Sequence, residues 1–562
     1  MQGGWLIGCM VATGCGAFVD AGPPVLRVEP AAIDLDVDLA LPPPTAAIRV
    51  FALGLDGREA DVTAAATLRL DGAALGSLGG AGLTSDGVTG GVATIQITYE
   101  AATAAIPAAA HVHGRRVVDG TPAGAVAAFA AAARTPFDAQ LDPPDGAVIP
   151  SGLGRMVLGF VANDLDNAHE VRVTAPELEL VIVAPGVAGP RTIELAPREW
   201  SAIARTARGG QIQLEVASLR STAPAVARVA TVGLDLADLD PSALLVSGVA
   251  GVTGPVTDVD RPSLWRYDMH AGSVASMFRN PAGACIGCHL AVSPDGARIA
   301  ALIVSPTAPL LNGVVVDARA GTVLAQSDGA SATPWATAAF DPKTGALLAA
   351  WQGGLALRDA ATGAVLAPIA MTEPAAAPAI SPDGAQLAYV TLDAGLGAAA
   401  SQPAGNALHA RPWSAAQRAV GPPIELYRDH GGVVLPAFSS DGRWVAFGHS
   451  EILPDRVNEV PLGSSAVRSD GSRTIVKLTS DPLDRLAHFA SPVAPVRAGN
   501  RAPEPMVWVA MISNRPVGGN ATASHQLWLE AFYPERGLVT PAFHLPGQPA
   551  TLQILHGPIA LP

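Results

Sequence analysis

One pattern recurs through the C-terminal half of the chain and limits its fold more than any other feature. HLAVSPDGARIAALI starts at His289, TAAFDPKTGALLAAW at Thr337, PAISPDGAQLAYVT at Pro378 and PAFSSDGRWVAFGH at Pro436. Each copy is an apolar strand, a tight turn and a second apolar strand. The turn is Asp-Gly in three copies and Lys-Thr-Gly in the second, residue types suited to the positive φ of a tight hairpin. The copies are spaced by roughly 40 to 60 residues, the length of one small sheet that cannot bury both faces alone and stacks on its neighbours. Outer strands carry aromatics in LWRYDM at 264–269 and HQLWLEAF at 525–532, while GGLALRDA at 353–360 has none.

The SPDG-centred repeat resembles the TolB-like family of propeller repeats, which implies a β-propeller over residues 240–562. Inner strands open near 289, 337, 378, 436 and 487, and a sixth blade is split. Its outer strands come from 243–280 (ALLVSG, SLWRYDM, SVASMF) and its inner strand from TLQILHGPIA at 551–560. Joining the two ends in one sheet removes exposed edges. The blade near 487 has an insertion where Asp-Gly belongs.

At 562 residues, with 59 Gly and 49 Pro, the chain holds several domains of short strands rather than long helices. PVLRVEPAAIDLDVDLA alternates apolar and polar residues, a strand signal. The stretch DGREADVT…GVTGGVATIQITY resembles a bacterial Ig-like (group 2) domain, covering 23–107 and implying a spacer or adhesive module. Residues 108–136 read as an Ala-rich linker in which AVAAFAAAAR can form a short helix. His111 and His113 there share a strand face, a pattern that fits a solvated edge better than a metal site. Residues 137–237 give a second sandwich-like unit with a short amphipathic turn around Trp200. The expected fold is all-β: two Ig/fibronectin-like β-sandwich domains followed by a six-bladed TolB-like β-propeller.

The first fifteen residues, MQGGWLIGCMVATGC, pair a short apolar run with small residues, a signal-peptide pattern; residues 1–22 are read as signal and linker. Ala12-Thr13-Gly14-Cys15 resembles a bacterial lipobox, which implies a lipid on Cys15 and a periplasmic or cell-surface lipoprotein, with plain secretion as the alternative. The lipid anchor is then the chain's one membrane contact. Of four cysteines, Cys9 leaves with the signal and Cys15 carries lipid. Cys285 and Cys288 are left in an exported, oxidising context.

Those two cysteines lie in Cys285-Ile286-Gly287-Cys288-His289, immediately before the first SPDG repeat. Cys-x-x-Cys-His is the attachment signature of c-type haem: Cys285 and Cys288 form the thioether links and His289 is the proximal ligand of the haem iron. Distal-ligand candidates are His556 on the sixth inner strand and Met277 and His270 just upstream; His430 and His488 precede other inner strands. A short-loop disulfide between Cys285 and Cys288 and a zinc site with a fourth ligand elsewhere are the competing readings. The run from LWRYDM through CIGCHLAVSPDG to HQLWLEAF resembles exported propeller proteins of myxobacterial type, over about 140 to 562, which implies an architecture and no specific activity. No nucleophile elbow, H-E-x-x-H, Walker-A loop or G-x-G-x-x-G signature is present. The net charge of −14 argues against nucleic acid as a partner, because phosphates need a basic surface. The functional expectation is electron transfer or redox sensing with a redox partner. The alternative is a non-enzymatic scaffold that binds a protein or glycan at the propeller mouth.

Overall fold

The computed structural model is described here over residues 23–561, apart from 55–56, 80–81, 138–139, 163–165, 187–188, 221–225, 251–262, 280–284, 305–310, 328–333, 392–403, 451–462, 480, 500, 517–524 and 550. The expected signal and lipobox at 1–22, with Cys15, lie outside the described residues. Nearly all described elements are strands, and two short helices accompany them. The chain divides into two compact units, 1–112 and 113–562.

In the first unit, Ile33–Asp38 and Gly91–Tyr99 bury alternate residues, so that Ile33, Leu35, Val37, Ile95 and Ile97 form its core. Gly91–Tyr99 pairs antiparallel with Thr67–Gly72 on one side and with Ala102–Val117 on the other. The last of these corrects the linker expected at 108–136. Ala108, Ala110 and Val112 are buried with period two, and the strand runs on to Val117. Alanine's weak strand preference hides this element from composition, and cross-strand pairing supplies the stability that propensity does not. His111 sits on this strand with Nε2 3.2 Å from Asp34 Oδ1. Further on, Ala125–Ala131 forms a helix anchored by buried Phe129, and Ala133–Pro136 joins a sheet beside Val226–Ala237.

The second unit opens with a sandwich. One sheet carries Ala168–Ala175, Leu178–Pro185, Gln211–Leu219 and Val226–Ala237; the other carries Leu141–Asp142, Val157–Ala162 and Gly189–Glu194. The amphipathic stretch around Trp200 is a ten-residue helix, Pro197–Thr206. Pro197 presets φ at its first turn, and Glu199 accepts a 2.7 Å hydrogen bond from the Ala196 N–H. Trp200 and Ile203 are buried on its inner face.

Beyond residue 242 the described strands form five sheets that make up six blades, two of the blades sharing one eight-stranded sheet, and each blade steps outward by antiparallel pairing. Blade 1 is Cys285–Val292, Arg298–Val304, Leu311–Asp317 and Val323–Gln326. Blade 2 runs from Thr337–Phe340 out to Val365–Ile369. Blade 3 is Ala375–Ile380, Gln386–Thr391 and Ala404–Ser414, completed by the first residues of Ile424–Phe438. The later residues of that same strand start blade 4, followed by Trp444–Ser450, Gly463–Arg468 and Ile475–Lys477. Blade 5 has Asp484–Phe489, Glu504–Ser513 and Gln526–Tyr533 at its centre. Blade 6 takes its inner strand, Gln553–Leu561, from the C-terminus and its outer strands from Ala243–Val249, Ser263–Asp268 and Ser273–Phe278.

The inner strands touch one another in sequence, and Gln553–Leu561 closes the ring against Cys285–Val292. Apolar wedges fill the gaps between blades. At the closure Leu245, Leu264, Ile286, Leu290 and Val314 pack together, and each such side chain contributes about 1.5–3 kcal/mol when fully buried.

The repeated turns explain the recurring acids. Asp383 accepts hydrogen bonds from the Ser381 hydroxyl and the Ala385 N–H, and the Ser381 Oγ accepts from the Gln386 N–H at 2.9 Å. Ser293–Asp295 and Ser439–Asp441 repeat this, with Gly296, Gly384 and Gly442 at φ of 66°, 60° and 71°. These bonds hold Asp295 and Asp383 below the ordinary carboxyl range. In blade 2 Asp341 replaces the serine and accepts from the Lys343 and Thr344 N–H groups.

Candidate functional site at the channel mouth

In blades 1 to 4 each inner strand leads into its turn at the same end, so the opposite ends gather at one channel mouth. The Cys285–His289 motif is the start of the blade 1 inner strand. Cys285, Ile286 and Gly287 pair with Val304, Ile303 and Leu302. The ladder then jumps to Leu290 opposite Ala301, leaving Cys288 and His289 at a bulge without ladder partners.

The same irregularity recurs around the ring. It falls between Ala376 and Ala379 in blade 3, between Val434 and Ala437 in blade 4 and between Arg485 and His488 in blade 5. Ala377, Leu435 and Leu486 adopt φ of 46°, 51° and 48° at these points, a conformation that costs a non-glycine residue energy. In blade 6 the step from Leu245–Ile559 to Ser247–His556 skips Gly557, at φ 99°, and Pro558. Bulges re-aim side chains and cluster beside functional sites. The motif therefore occupies the blade 1 counterpart of a shared backbone device.

Past the bulges the inner strands line a cavity of about 350 Å³ in the channel. Leu290–Val292, Ala338–Phe340, Pro378–Ile380, Leu435–Phe438, His488, Phe489 and the 557–560 segment contribute. Leu290 directly follows His289, so the motif and the cavity are contiguous along the chain.

The candidates from the sequence fall in different places. His556 is on the strand next to the motif. It lies opposite Ser247, and the buried Ser247 hydroxyl donates to the Ile286 carbonyl inside the motif. The side chains of Cys285, Cys288, His289, His430 and His556 lie outside the described residues. Met277 is on the outermost strand of blade 6 and packs against the closure core with Ile286 and Leu290. His270 is exposed at the turn between Ser263–Asp268 and Ser273–Phe278, at the far end from Cys285, and its Nδ1 donates to the Gly152 carbonyl at 3.0 Å. The structure does not bring it to the motif. His488 lines the channel. Among the described residues no group of three His, Cys, Asp or Glu gathers to hold a metal.

Sequence reasoning missed Ser247 and the bulges, which depend on partner strands. It also passed over Ala291, Ala339, Ala379 and Ala437, although these were visible in the repeats. Each stands two residues before the turn residue Ser293, Asp341, Ser381 or Ser439.

The turn ends of blades 5 and 6 face the sandwich. Trp508 Nε1 donates to the Leu239 carbonyl at 2.9 Å, Arg501 Nη2 to Asp235 at 2.9 Å, and the Gly152 N–H to Asp240 at 2.7 Å. The insertion that replaces Asp-Gly in blade 5 supplies Arg497, Ala498 and Arg501 to this junction.

No family model matches the chain, and no curated protein matches it. Solved structures resemble it weakly. TolB from Acinetobacter baumannii is 13% identical, with 62% of this chain and 80% of that one covered at a TM-score of 0.34. A putative TolB from Agrobacterium tumefaciens is 14% identical over 57% of this chain and 100% of that one, TM-score 0.31. Hydrazine synthase from Kuenenia stuttgartiensis is 12% identical over 50% and 89%, TM-score 0.28. The blade assignment stands on the strand register.

Proposed function

We propose that the chain is an exported, lipid-anchored β-propeller protein whose channel mouth carries one covalent c-type haem for electron transfer or redox sensing. Cys285 and Cys288 provide the thioether links and His289 the proximal imidazole, with His556 on the adjoining strand as the distal candidate. A haem bound there supplies a one-electron couple at a solvent-facing mouth.

One observation supports this reading. Ladder pairing holds Cys285 to Gly287 in the sheet and breaks at Cys288-His289, so the second half of the motif falls at a bulge, the kind of irregularity that re-aims side chains beside functional sites. The unpaired backbone at Cys288-His289 also leaves that pair outside the sheet's hydrogen bonding.

The test is production in an exporting host that also makes the haem-attachment machinery. The expected result is haem that stays on the chain in a denaturing gel, a Soret band, and loss of both in Cys285→Ser and Cys288→Ser. A colourless protein with Cys285 and Cys288 joined by mass spectrometry would overturn the proposal in favour of the scaffold that binds a protein or glycan.

A further inference from the structure

The backbone of the Cys285–His289 motif is held from outside its own blade. Ser247, on the Ala243–Val249 strand of blade 6, is fully buried, and its hydroxyl donates to the Ile286 carbonyl of blade 1. Ile286 follows Cys285 directly and is itself fully buried, so its carbonyl cannot turn to water if that hydroxyl is lost. In the blade 6 ladder Ser247 stands opposite His556. One side chain thus ties the strand of the distal candidate to the strand of the motif.

The tie has counterparts. At two other junctions a buried hydroxyl of one blade reaches the bulge in the inner strand of the next. The Ala377 N–H of blade 3 donates to Thr337 Oγ1 of blade 2 at 3.1 Å, and the Ala487 N–H of blade 5 donates to Ser464 Oγ of blade 4 at 2.9 Å. Both amides lie inside the register shifts at 376–379 and 485–488, and Thr337 and Ser464 are buried. A bulge gives up ladder bonds, and a strand that has done so keeps its place only through other contacts. The hydroxyl of the preceding blade supplies one. At the motif its polarity is reversed: it donates to a carbonyl rather than accepting from an N–H, and it does so within the Cys-x-x-Cys span.

We propose that Ser247 is a positioning residue for the Cys285–His289 motif: by holding the Ile286 carbonyl, its hydroxyl fixes the backbone between the two cysteines and its place against the His556 strand. The inference rests on the haem reading and deepens it, since the geometry of attachment then depends on a blade that supplies neither thioether. Loss of the hydroxyl should raise the population in which this strand segment opens by roughly three- to tenfold, the worth of one hydrogen bond.

The experiment compares the full chain as wild type, Ser247→Ala and, for control, Ser464→Ala, which removes the counterpart tie to blade 5. One arm takes chains from an exporting host with the haem-attachment machinery and reads the fraction carrying covalent haem and its midpoint potential. The other arm needs no haem: chains from a host without that machinery are reduced, and alkylation of Cys285 and Cys288 by iodoacetamide is followed by mass spectrometry. Ser247→Ala should alkylate roughly three- to tenfold faster, and should carry less haem at a shifted potential. Ser464→Ala should lose thermal stability and match wild type in every motif readout. Ser247→Thr and Ser247→Val have the same shape and differ in the hydroxyl. The first should behave as wild type and the second as Ser247→Ala, which decides the question even where Ser247→Ala folds poorly. Equal alkylation in wild type, Ser247→Ala and Ser247→Val, or an equal effect of Ser464→Ala on the motif, overturns the proposal. A wild type without haem overturns the haem reading alone, and the alkylation rates still decide for or against Ser247.

Discussion

At the scale of single residues, the two most informative carboxyl environments pull in opposite directions. Asp383 is held low by the turn hydrogen bonds it accepts. Asp142 is pushed up to about 7 by burial, against the His544 N–H it accepts at 3.1 Å and the charge of Arg515. The folded chain thus binds a proton at Asp142 more tightly than the unfolded chain does. That contribution to stability is complete below the ordinary carboxyl pKa of about 3.9 and is lost as pH rises through 7. Asp142→Asn keeps an acceptor for the His544 N–H and removes the titration. Its melting temperature should exceed that of wild type at pH 8, with the difference shrinking toward pH 4, as differential scanning calorimetry would show. The turn role of Asp295, Asp383 and Asp441 was legible because the Asp-Gly chemistry is local. The environment of Asp142 was not, since it is created by His544 and Arg515 from a distant part of the chain. The bulge at Cys288-His289 was hidden for a related reason: a register shift is a property of two strands.

At the scale of elements, the split sixth blade rests on Gln553–Leu561, which pairs with Ala243–Val249 and packs on blade 1. Deleting 553–562 would uncover the Ala243–Val249 edge and one face of the closure core. Unpaired edges and bared apolar faces drive association. The shortened chain should aggregate or lose its sharp thermal transition, where the intact chain melts cooperatively; size-exclusion chromatography and circular dichroism distinguish the two. The split blade was readable because its strands lacked a fourth partner in sequence. The Ala102–Val117 strand was not, because alanine signals a helix or linker when its neighbours are out of view. The blade 5 insertion was seen as a missing Asp-Gly, but its use emerged only with Arg497 and Arg501 against Asp238 and Asp235.

At the scale of the second unit, the sandwich and propeller share hydrogen bonds from Trp508, Arg501 and Gly152. Residues 240–562 expressed alone should melt below 113–562, since Trp508 loses the Leu239 carbonyl and gains water. Differential scanning fluorimetry on the two fragments checks this. The sequence placed a boundary near 237 from the strand pattern and the start of the repeats, and neither registers contacts across a boundary. The strand Ile424–Phe438 has a consequence of its own. Its first residues are the outer edge of blade 3 and its last the inner edge of blade 4. Those two blades are therefore spliced by continuous backbone, whereas blades 2 and 3 are joined through the non-strand residues 370–374. Thermal breathing that loosens one must strain the other, so amide protons in Gln386–Thr391 and Trp444–Ser450 should exchange with one common opening energy, a single double-width stave in the ring.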